Sequence, residues 1–210
     1  MAQTNAQWLQ DYCRNKSAEQ VKVIRYFCGE EGCLGGLLEG CLGGGLTDPE
    51  YRKMVNKKRD SLDLRARALS KIGLDEDEVN EIPPVMFEGY QFANAFARQC
   101  PDGRWLSSAY QVSWIFFSST QIYVYRYTFH MDNDNKSEST DEYFYRDLTS
   151  LSTSSETEVA HGAGNKRFEV ESNKFKLVVP GDTILVSMDG VPDSEDIIQA
   201  MKQKMREKKR

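Results

Sequence analysis

The stretch "QIYVYRYTFHM" at residues 121–131 constrains the fold most, because its side chains alternate strictly in kind. Every second position from Tyr123 to Phe129 is aromatic, and the alternate positions are Ile122, Val124, Arg126 and Thr128. A period of two residues predicts a β-strand with two chemically different faces. Similar runs separated by turn signals lie at residues 85–93, 109–119, 141–158, 166–172, 174–181 and 183–189. Together they predict an antiparallel barrel or sandwich of about seven strands.

Residues 1–81 have a helical period instead. Ser17 and Gln20 fit a capping box, and Asp48 with Pro49 marks the start of a second helix, which Gly73 would end. Another amphipathic helix follows residue 193, with isoleucines and methionines at helical spacing. We therefore predict an α+β protein. A helical region over residues 1–81 precedes a β domain over residues 82–210, which the last helix closes.

Charge and cysteine content narrow the class of protein. The 210 residues carry a net charge of -5, whereas nucleic-acid-binding domains are usually basic, so we expect no nucleic-acid partner. Five cysteines without a disulfide pattern, and a first segment without a signal-peptide pattern, predict a reducing, cytoplasmic location. The sequence has no run of about 18 apolar residues, so we expect no ordinary membrane-spanning helix.

Residues 82–210 resemble bacterial members of the pleckstrin-homology-like (PH-like) superfold. The resemblance rests on the strand "TQIYVYRYTF", the aromatic strand "EYFYRDLTSLS" and the closing helix "EDIIQAMKQKM". It implies a seven-stranded antiparallel barrel with a helix at its end, and a binding scaffold rather than an enzyme. The helical first 80 residues are not part of the resemblance.

The best-known activity of that superfold is phosphoinositide binding, through several basic residues around the first hairpin. The equivalent stretch here, "NAFARQCPDGRW", has only Arg98 and Arg104, beside Asp102. Anionic headgroups are held by clustered cations, each contributing about 1 kcal/mol. Arg98 and Arg104 are therefore weak ligand-loop candidates, and we do not expect phosphoinositide binding.

The glycine-rich stretch "GCLGGLLEGCLGGGL" at residues 32–46 is a candidate association segment. In a helix, its glycines would recur on one side and its leucines on the other, which would allow a second backbone to approach closely. The candidate face consists of Gly32, Gly36, Gly40, Gly44, Leu34, Leu38 and Leu42. Fifteen helical residues would extend about 22 Å, less than a roughly 30 Å bilayer core. We interpret the segment as a packing or association element.

No motif in the sequence predicts a cofactor or metal. The stretch at residues 32–46 lacks the lysine of a phosphate-binding loop, and "GAGNKR" at residues 162–167 fits a hairpin turn better. Cys28, Cys33 and Cys41 lack the paired spacing of a zinc site. The stretch "DNDNKSESTDE" at residues 132–142 begins like a calcium loop but lacks its glycine and last glutamate, so it predicts a solvated hairpin.

Two further patterns have a structural interpretation. Glu156, Glu158 and His161 lie close in sequence, but nothing orients them, so an exposed loop is the preferred interpretation. An aromatic band could stack nucleic-acid bases, yet only Arg126 and Arg146 accompany it; the band consists of Tyr123, Tyr125, Tyr127, Phe129, Tyr143 and Tyr145. Packing of these rings across the sheet is the preferred interpretation.

These observations predict a non-catalytic cytoplasmic module that binds a protein or peptide and needs no cofactor. The first alternative is a peripheral membrane protein or a self-associating protein that uses residues 32–46, and homo-oligomer formation stays open. The second is a hydrolase with an unfamiliar site. A cleft that places His130 or His161 within reach of a carboxylate would favour the hydrolase.

Overall fold

The computed structural model of the chain describes residues 5–28, 45–79, 82–162, 166–188 and 194–208. Within these ranges the protein is α+β, as predicted, with five α-helices and nine strands. Two 3₁₀ turns, Glu76–Val79 and Tyr145–Asp147, join some of these elements. The helices are α1 (Asn5–Cys13), α2 (Ala18–Cys28), α3 (Asp48–Asp60), α4 (Leu64–Ile72) and α5 (Ser194–Lys208).

The strands form three antiparallel sheets, and none of these closes into a barrel by itself. Sheet one has four strands in the order β1-β4-β5-β6, sheet two pairs β2 with β3, and sheet three has the order β7-β8-β9. The strands are β1 (Ile82–Gln91), β2 (Ala97–Gln99), β3 (Trp105–Ser107), β4 (Ala109–Phe117), β5 (Gln121–His130), β6 (Lys136–Phe144), β7 (Ser150–His161), β8 (Arg167–Val179) and β9 (Asp182–Ser187).

The described strands number nine, whereas the sequence predicted about seven. The predicted strand at residues 141–158 is divided by the turn Tyr145–Asp147 into β6 and β7. Conversely, the runs at residues 166–172 and 174–181 form the single strand β8, because Asn173 pairs with Ser155 inside the ladder instead of turning. The short β2–β3 hairpin was not predicted.

The helix starts follow local capping chemistry. The capping box of Ser17 and Gln20 is confirmed, with hydrogen bonds of 2.9 and 3.2 Å between the two residues. Thr47, and not Asp48, precedes the first residue of α3. The Glu50 carboxylate accepts hydrogen bonds from the Thr47 N–H and hydroxyl, each at 2.8 Å. These bonds fix the first turn of the helix.

The predicted helix from residue 48 to residue 72 is two helices. Asp63 has a φ of 43°, in the left-handed region, and this residue separates α3 from α4. Gly73 ends α4 with a φ of 76°, and its N–H donates to the Leu69 carbonyl, as predicted for a glycine stop. Because of this break, α4 can run in a different direction from α3 where it packs on the first sheet.

One face of the first sheet packs against the helices. Tyr125, Tyr127 and Phe129 are at most 3% exposed and share a core cluster with Ile24 of α2 and Tyr51 of α3. The packing predicted for the aromatic residues of β5 is thus confirmed, and helices cover them, whereas Tyr143 and Tyr145 belong to the other core cluster, which includes the third sheet and α5. Tyr51 is fully buried, and its hydroxyl donates to the Ser107 carbonyl at 2.6 Å. This bond ties the helical layer to the β strands.

The opposite face of the first sheet packs against the third sheet and α5. Phe87 of β1 stacks on Phe175 of β8 with ring centroids 4.8 Å apart. Ile198, Met201 and Met205 of α5 are buried in the same cluster, which confirms the apolar stripe predicted for this helix. The first sheet is therefore the middle layer of the molecule.

A buried ion pair lies in the third sheet. Lys174 is 3% exposed, and its Nζ lies 3.0 Å from Glu158 Oε2. The same ammonium donates to Ser187 Oγ at 3.0 Å. A buried charge is tolerated when it is paired and hydrogen-bonded, so these contacts account for Lys174. No helix in the described part of the chain is long and apolar enough to cross a membrane.

Candidate functional site

A pocket of about 280 Å³ opens where four separate segments of the chain meet. Helix α1 contributes Trp8 and Tyr12, and the turn before β2 contributes residues 94–96. The hairpin between β5 and β6 contributes His130 and residues after it, and the end of β7 contributes His161. Because these segments are far apart in sequence, only the fold brings the lining residues together.

Three aromatic rings form one wall of the pocket. Trp8 and Tyr12 are four residues apart on α1, and their rings stack with centroids 5.3 Å apart. The Phe96 ring is nearly perpendicular to both, at 6.1 Å from Trp8 and 5.4 Å from Tyr12. These edge-to-face contacts fix α1 against the turn before β2. The wall is apolar and rich in π electrons.

Asp132 is a deeply buried acid of the pocket lining, with 2% exposure. Its Oδ2 accepts hydrogen bonds from the Tyr12 hydroxyl and the Asn133 amide, each at 2.9 Å. Burial by itself would raise the pKa of Asp132, but the surrounding His130, Tyr12, Ser108 and Asn133 hold this pKa below its ordinary value. The carboxyl group is therefore ionised at neutral pH.

The other carboxylate oxygen, Asp132 Oδ1, is buried and accepts no hydrogen bond from the described part of the chain. His130 Nδ1 lies 3.7 Å from it, slightly beyond hydrogen-bonding distance. A carboxylate at this position favours a proton on Nδ1 of the neutral ring. We therefore assign the Nδ1–H tautomer to His130, which leaves Nε2 as a hydrogen-bond acceptor.

The backbone holds His161 in place on its side of the pocket. Its N–H donates to the Ala95 carbonyl at 2.8 Å, and the residue forms a parallel bridge with Phe96. A Cβ at the next residue, Gly162, would lie 2.5 Å from the Phe168 ring, so a larger residue there would require that ring to move. This end of β7 is therefore joined directly to the turn before β2.

Two helices fix the hairpin that carries His130 and Asp132. The Lys58 ammonium of α3 donates to the His130 carbonyl at 2.7 Å. The Gln20 amide of α2 donates to Asp134 Oδ1 at 2.7 Å. With these contacts on both sides of Asp132, the pocket is preformed and does not depend on a ligand to bring its walls together.

The two ligand-loop candidates, Arg98 and Arg104, do not line the pocket. The Arg98 guanidinium lies 4.9 Å from the centre of the Tyr26 ring and donates to the Tyr26 carbonyl at 3.3 Å. Arg104 donates to Asp102 Oδ2 at 2.7 Å within the turn between β2 and β3. Each arginine thus has partners within the chain.

Other predicted positions have different outcomes. Glu156, Glu158 and His161 are in strand β7, so the predicted exposed loop is wrong. Glu158 pairs with Lys174, whereas His161 lines the pocket. The candidate association face lies wholly outside the residues that the structure describes. Its members are Gly32, Gly36, Gly40, Gly44, Leu34, Leu38 and Leu42.

Sequence reasoning missed the residues that matter most in the pocket. The stretch beginning at residue 132 was predicted to be a solvated hairpin, but Asp132 is buried because Tyr12 of α1 covers and hydrogen-bonds it. The i,i+4 spacing of Trp8 and Tyr12 was one available signal, since such pairs share a helix face. No local signal connects that helix to residue 132.

The described residues offer no evident metal site or activated thiol. They contain no group of three histidine, cysteine or acidic side chains arranged to hold a metal ion. Cys28 lies near Asp132, and burial, followed by the charge of that carboxylate, raises the pKa of its thiol to about 12. The thiol is therefore protonated at neutral pH and is a poor nucleophile.

Together, these features define an α+β protein with a preformed pocket that contains an aromatic wall, two histidines and one ionised carboxylate. No family model, curated protein or solved structure matches the chain. We therefore infer the function from the pocket and from the arrangement of the strands around it.

Proposed function

We propose that the protein is a non-catalytic binding module that takes a group of a protein or peptide partner into this pocket. The pocket itself is the observation that carries the proposal. Its described lining residues supply aromatic rings, amides, imidazoles and one carboxylate, and none of them is a serine, threonine, cysteine or lysine. Apolar walls with a few well-placed polar groups are typical of recognition sites.

The size of the pocket supports a small occupant. Sites for drug-sized molecules enclose roughly 300–1,000 Å³, and this pocket, at about 280 Å³, falls just below that range. One long amino-acid side chain and its adjoining peptide group suit such a volume. A peptide partner would insert one residue and leave its neighbours on the surface around Asn94 and Asn135.

The order of the strands supports a PH-like scaffold for this module. If the β2–β3 hairpin is an insertion, seven strands remain: β1 and β4–β6 in the first sheet, and β7–β9 in the third. Helix α5 follows them and covers the core between the two sheets. Helices α1–α4 are then an addition that covers the outer aromatic face and completes the pocket.

The same contacts disfavour other partners. The chain's net charge is -5, and the aromatic residues of β5 lie beneath the helices, so we expect no nucleic-acid partner. Arg98 and Arg104 are engaged within the chain, so we do not expect phosphoinositide binding. A cytoplasmic location stays part of the proposal.

A peptide selection tests the proposal. The full chain is used to select binders from a library of random nonapeptides, and the selected peptides are measured against the Trp8→Ala variant. We expect binding to weaken about tenfold or more, because large aromatic contacts dominate recognition energies. Phe144→Ala is the matched control, since Phe144 is an exposed aromatic residue that does not line the pocket. Equal binding by both variants, or failure to select any peptide, would refute the proposal.

A second candidate function is hydrolysis, because the pocket places His130 Nδ1 3.7 Å from Asp132 Oδ1. A histidine oriented by a carboxylate can activate water as a general base, and such contacts often shorten when substrate binds. Turnover of p-nitrophenyl acetate and bis-p-nitrophenyl phosphate by the full chain and by His130→Gln tests it. Identical rates for the variant and the unaltered protein exclude His130 as the base.

A further inference from the structure

We infer that the pocket accepts a cationic nitrogen group from the partner, either the ammonium of a lysine or the guanidinium of an arginine. This inference rests on the proposed function and specifies the chemistry of the group that is bound. Asp132 is the one acidic side chain among the described residues that line the pocket, and no lysine or arginine accompanies it there. Its carboxylate places a negative charge at the pocket.

The position of Asp132 makes that charge effective. A carboxylate that is 2% exposed is screened by water and salt far less than a surface acid. Its Oδ2 has two donors, Tyr12 and Asn133, but its Oδ1 accepts no hydrogen bond from any described residue. A buried anion with one oxygen unsatisfied favours additional positive charge nearby.

His130 supplies an acceptor close to this charge. Its Nδ1 faces Asp132 Oδ1 at 3.7 Å, so Nε2 is the ring nitrogen that can accept a hydrogen bond from a ligand donor. The amide oxygens of Asn94 and Asn135, both exposed at the pocket, are further acceptors. Lysine and arginine side chains have several N–H donors and no acceptor, so they match this set.

The aromatic wall favours the same class of ligand. A cation over the face of tryptophan or tyrosine is attracted by the ring, and tryptophan attracts it most strongly. The chain's own Lys16 ammonium lies 5.1 Å from the centre of the Tyr12 ring. Trp8, the neighbouring ring, is partly exposed and lines the pocket. A ligand cation would therefore bind between the Trp8 ring and His130 Nε2.

An anionic ligand would meet the opposite conditions. A carboxylate or phosphate would approach Asp132 with like charge and would find no lysine or arginine among the lining residues that the structure describes. The nearby Lys58 ammonium is directed to the His130 carbonyl at 2.7 Å, on the backbone of the hairpin. The electrostatic balance therefore selects against acids and for bases.

NMR titration of the full chain tests the inference with four small probes: n-butylammonium, methylguanidinium, butyramide and butyrate. The imidazole resonances of His130 and His161 and the indole resonance of Trp8 report binding. We expect saturable shifts with the two cations and none with butyrate. The Asp132→Asn variant should weaken cation binding about tenfold or more, as expected when a charge-assisted interaction is removed. Glu171→Gln, which removes an exposed acid of β8 that does not line the pocket, should change affinity less than twofold.

A second arm does not depend on a variant. The peptide acetyl-Gly-Gly-Lys-Gly-Gly-amide is compared with its Nε-acetyl-lysine form on the unaltered protein. Acetylation removes the charge, so we expect affinity to fall about tenfold or more. Equal affinity for both peptides, or stronger shifts with butyrate or butyramide, overturns the cationic assignment but leaves a binding pocket. No shift with any probe or peptide overturns the assignment and the binding function together.

Discussion

The two faces of the first sheet differ in where their hydrogen bonds lie. Toward the third sheet, the core contains apolar contacts such as the stack of Phe87 on Phe175, and Ser187 at the end of β9 bonds to Gln91 at the end of β1 and to Gln111 of β4. Toward the helices, tyrosines of the core cluster itself form hydrogen bonds. Tyr51 of α3 donates to the Ser107 carbonyl of β3 at 2.6 Å, and Tyr125 donates at 2.8 Å to Glu138 of β6, which also binds Arg67 of α4. Both faces bury apolar area, but on the helical side the buried tyrosine rings also carry directional bonds.

Hydrogen bonds between distant segments also hold the pocket together. The pocket needs α1, the hairpin after β5 and the end of β7 in a fixed relation, and a hydrogen bond has preferred distances and angles that an apolar contact lacks. Tyr12 joins α1 to Asp132, and Gln20 joins α2 to Asp134. A recognition site at the edge of the directional interface can therefore be rigid, although it is built from four distant segments.

Truncation in the inter-sheet core should have the largest effect. Phe175→Ala removes a ring that is 1% exposed and leaves a cavity against Phe87. We expect the free energy of unfolding to fall by about 3–5 kcal/mol. Guanidinium denaturation followed by circular dichroism measures it. Phe144→Ala, on a residue 42% exposed, should change stability by less than about 0.5 kcal/mol. Similar losses for both variants would contradict this account of the core.

Loss of one directional bond should have an intermediate effect. Tyr51→Phe keeps the buried ring but leaves the Ser107 carbonyl without the tyrosine hydroxyl, so we expect a loss of about 1–3 kcal/mol. Tyr143→Phe is the matched control, because the Tyr143 hydroxyl donates to Asp182 at an exposed position. Urea denaturation of both variants measures the two losses. If Tyr143→Phe lowers the free energy of unfolding as much as Tyr51→Phe does, burial of the hydrogen bond does not determine its contribution to stability.

Part of this contrast could be predicted from sequence. The alternation along β5 predicted both a strand and an aromatic face, because residues two apart share a side of the sheet. It did not predict that helices cover that face, since the contact joins Tyr125 to elements more than 50 residues away in the chain. Strand β6 was missed at its start because Lys136–Phe144 is polar and mostly exposed on a sheet edge.

The pocket was beyond sequence reasoning for a related reason. His130 and His161 were recognised as the chain's two histidines, but the backbone bond from His161 to Ala95 brings the end of β7 to this site. In the sequence, nothing distinguishes Asp132 from a solvent-exposed acid in a polar turn. Its burial depends on Tyr12, more than 100 residues earlier. Local patterns specify elements, whereas the site depends on how the two faces of one sheet are covered.

A smaller effect concerns the ion pair that joins α4 to β6. Arg67 donates to both oxygens of Glu138, at 2.7 and 2.8 Å, and mainly this bond lowers the pKa of Glu138 from 4.5 to about 2. A carboxylate with a lowered folded-state pKa stabilises the protein above its ordinary pKa, and this contribution is lost as pH falls from about 4.5 to about 2. Because the Arg67 side chain is 39% exposed, solvent screening reduces the effect.

We therefore expect Glu138→Gln to lower stability by about 1 kcal/mol at pH 7, and the difference from the unaltered protein to disappear near pH 2. Thermal unfolding at several pH values measures it. Glu142→Gln is the control, because Glu142 is an exposed acid on the same strand. A stability difference for Glu138→Gln that is independent of pH would show that the carboxylate charge is not responsible.

The smallest effect should be at the break between α3 and α4, which the sequence did not reveal. Asp63 has a φ of 43°, and left-handed backbone costs a residue with a Cβ roughly 1–2 kcal/mol. Asp63→Gly removes that cost but makes the unfolded chain more flexible, so we expect a net gain of about 0.5 kcal/mol. Asp63→Ala retains the Cβ and should give no gain. A gain in stability for Asp63→Ala would contradict this account. It would indicate that the two helices had fused into one, and that α4 no longer packs on the first sheet in its own direction.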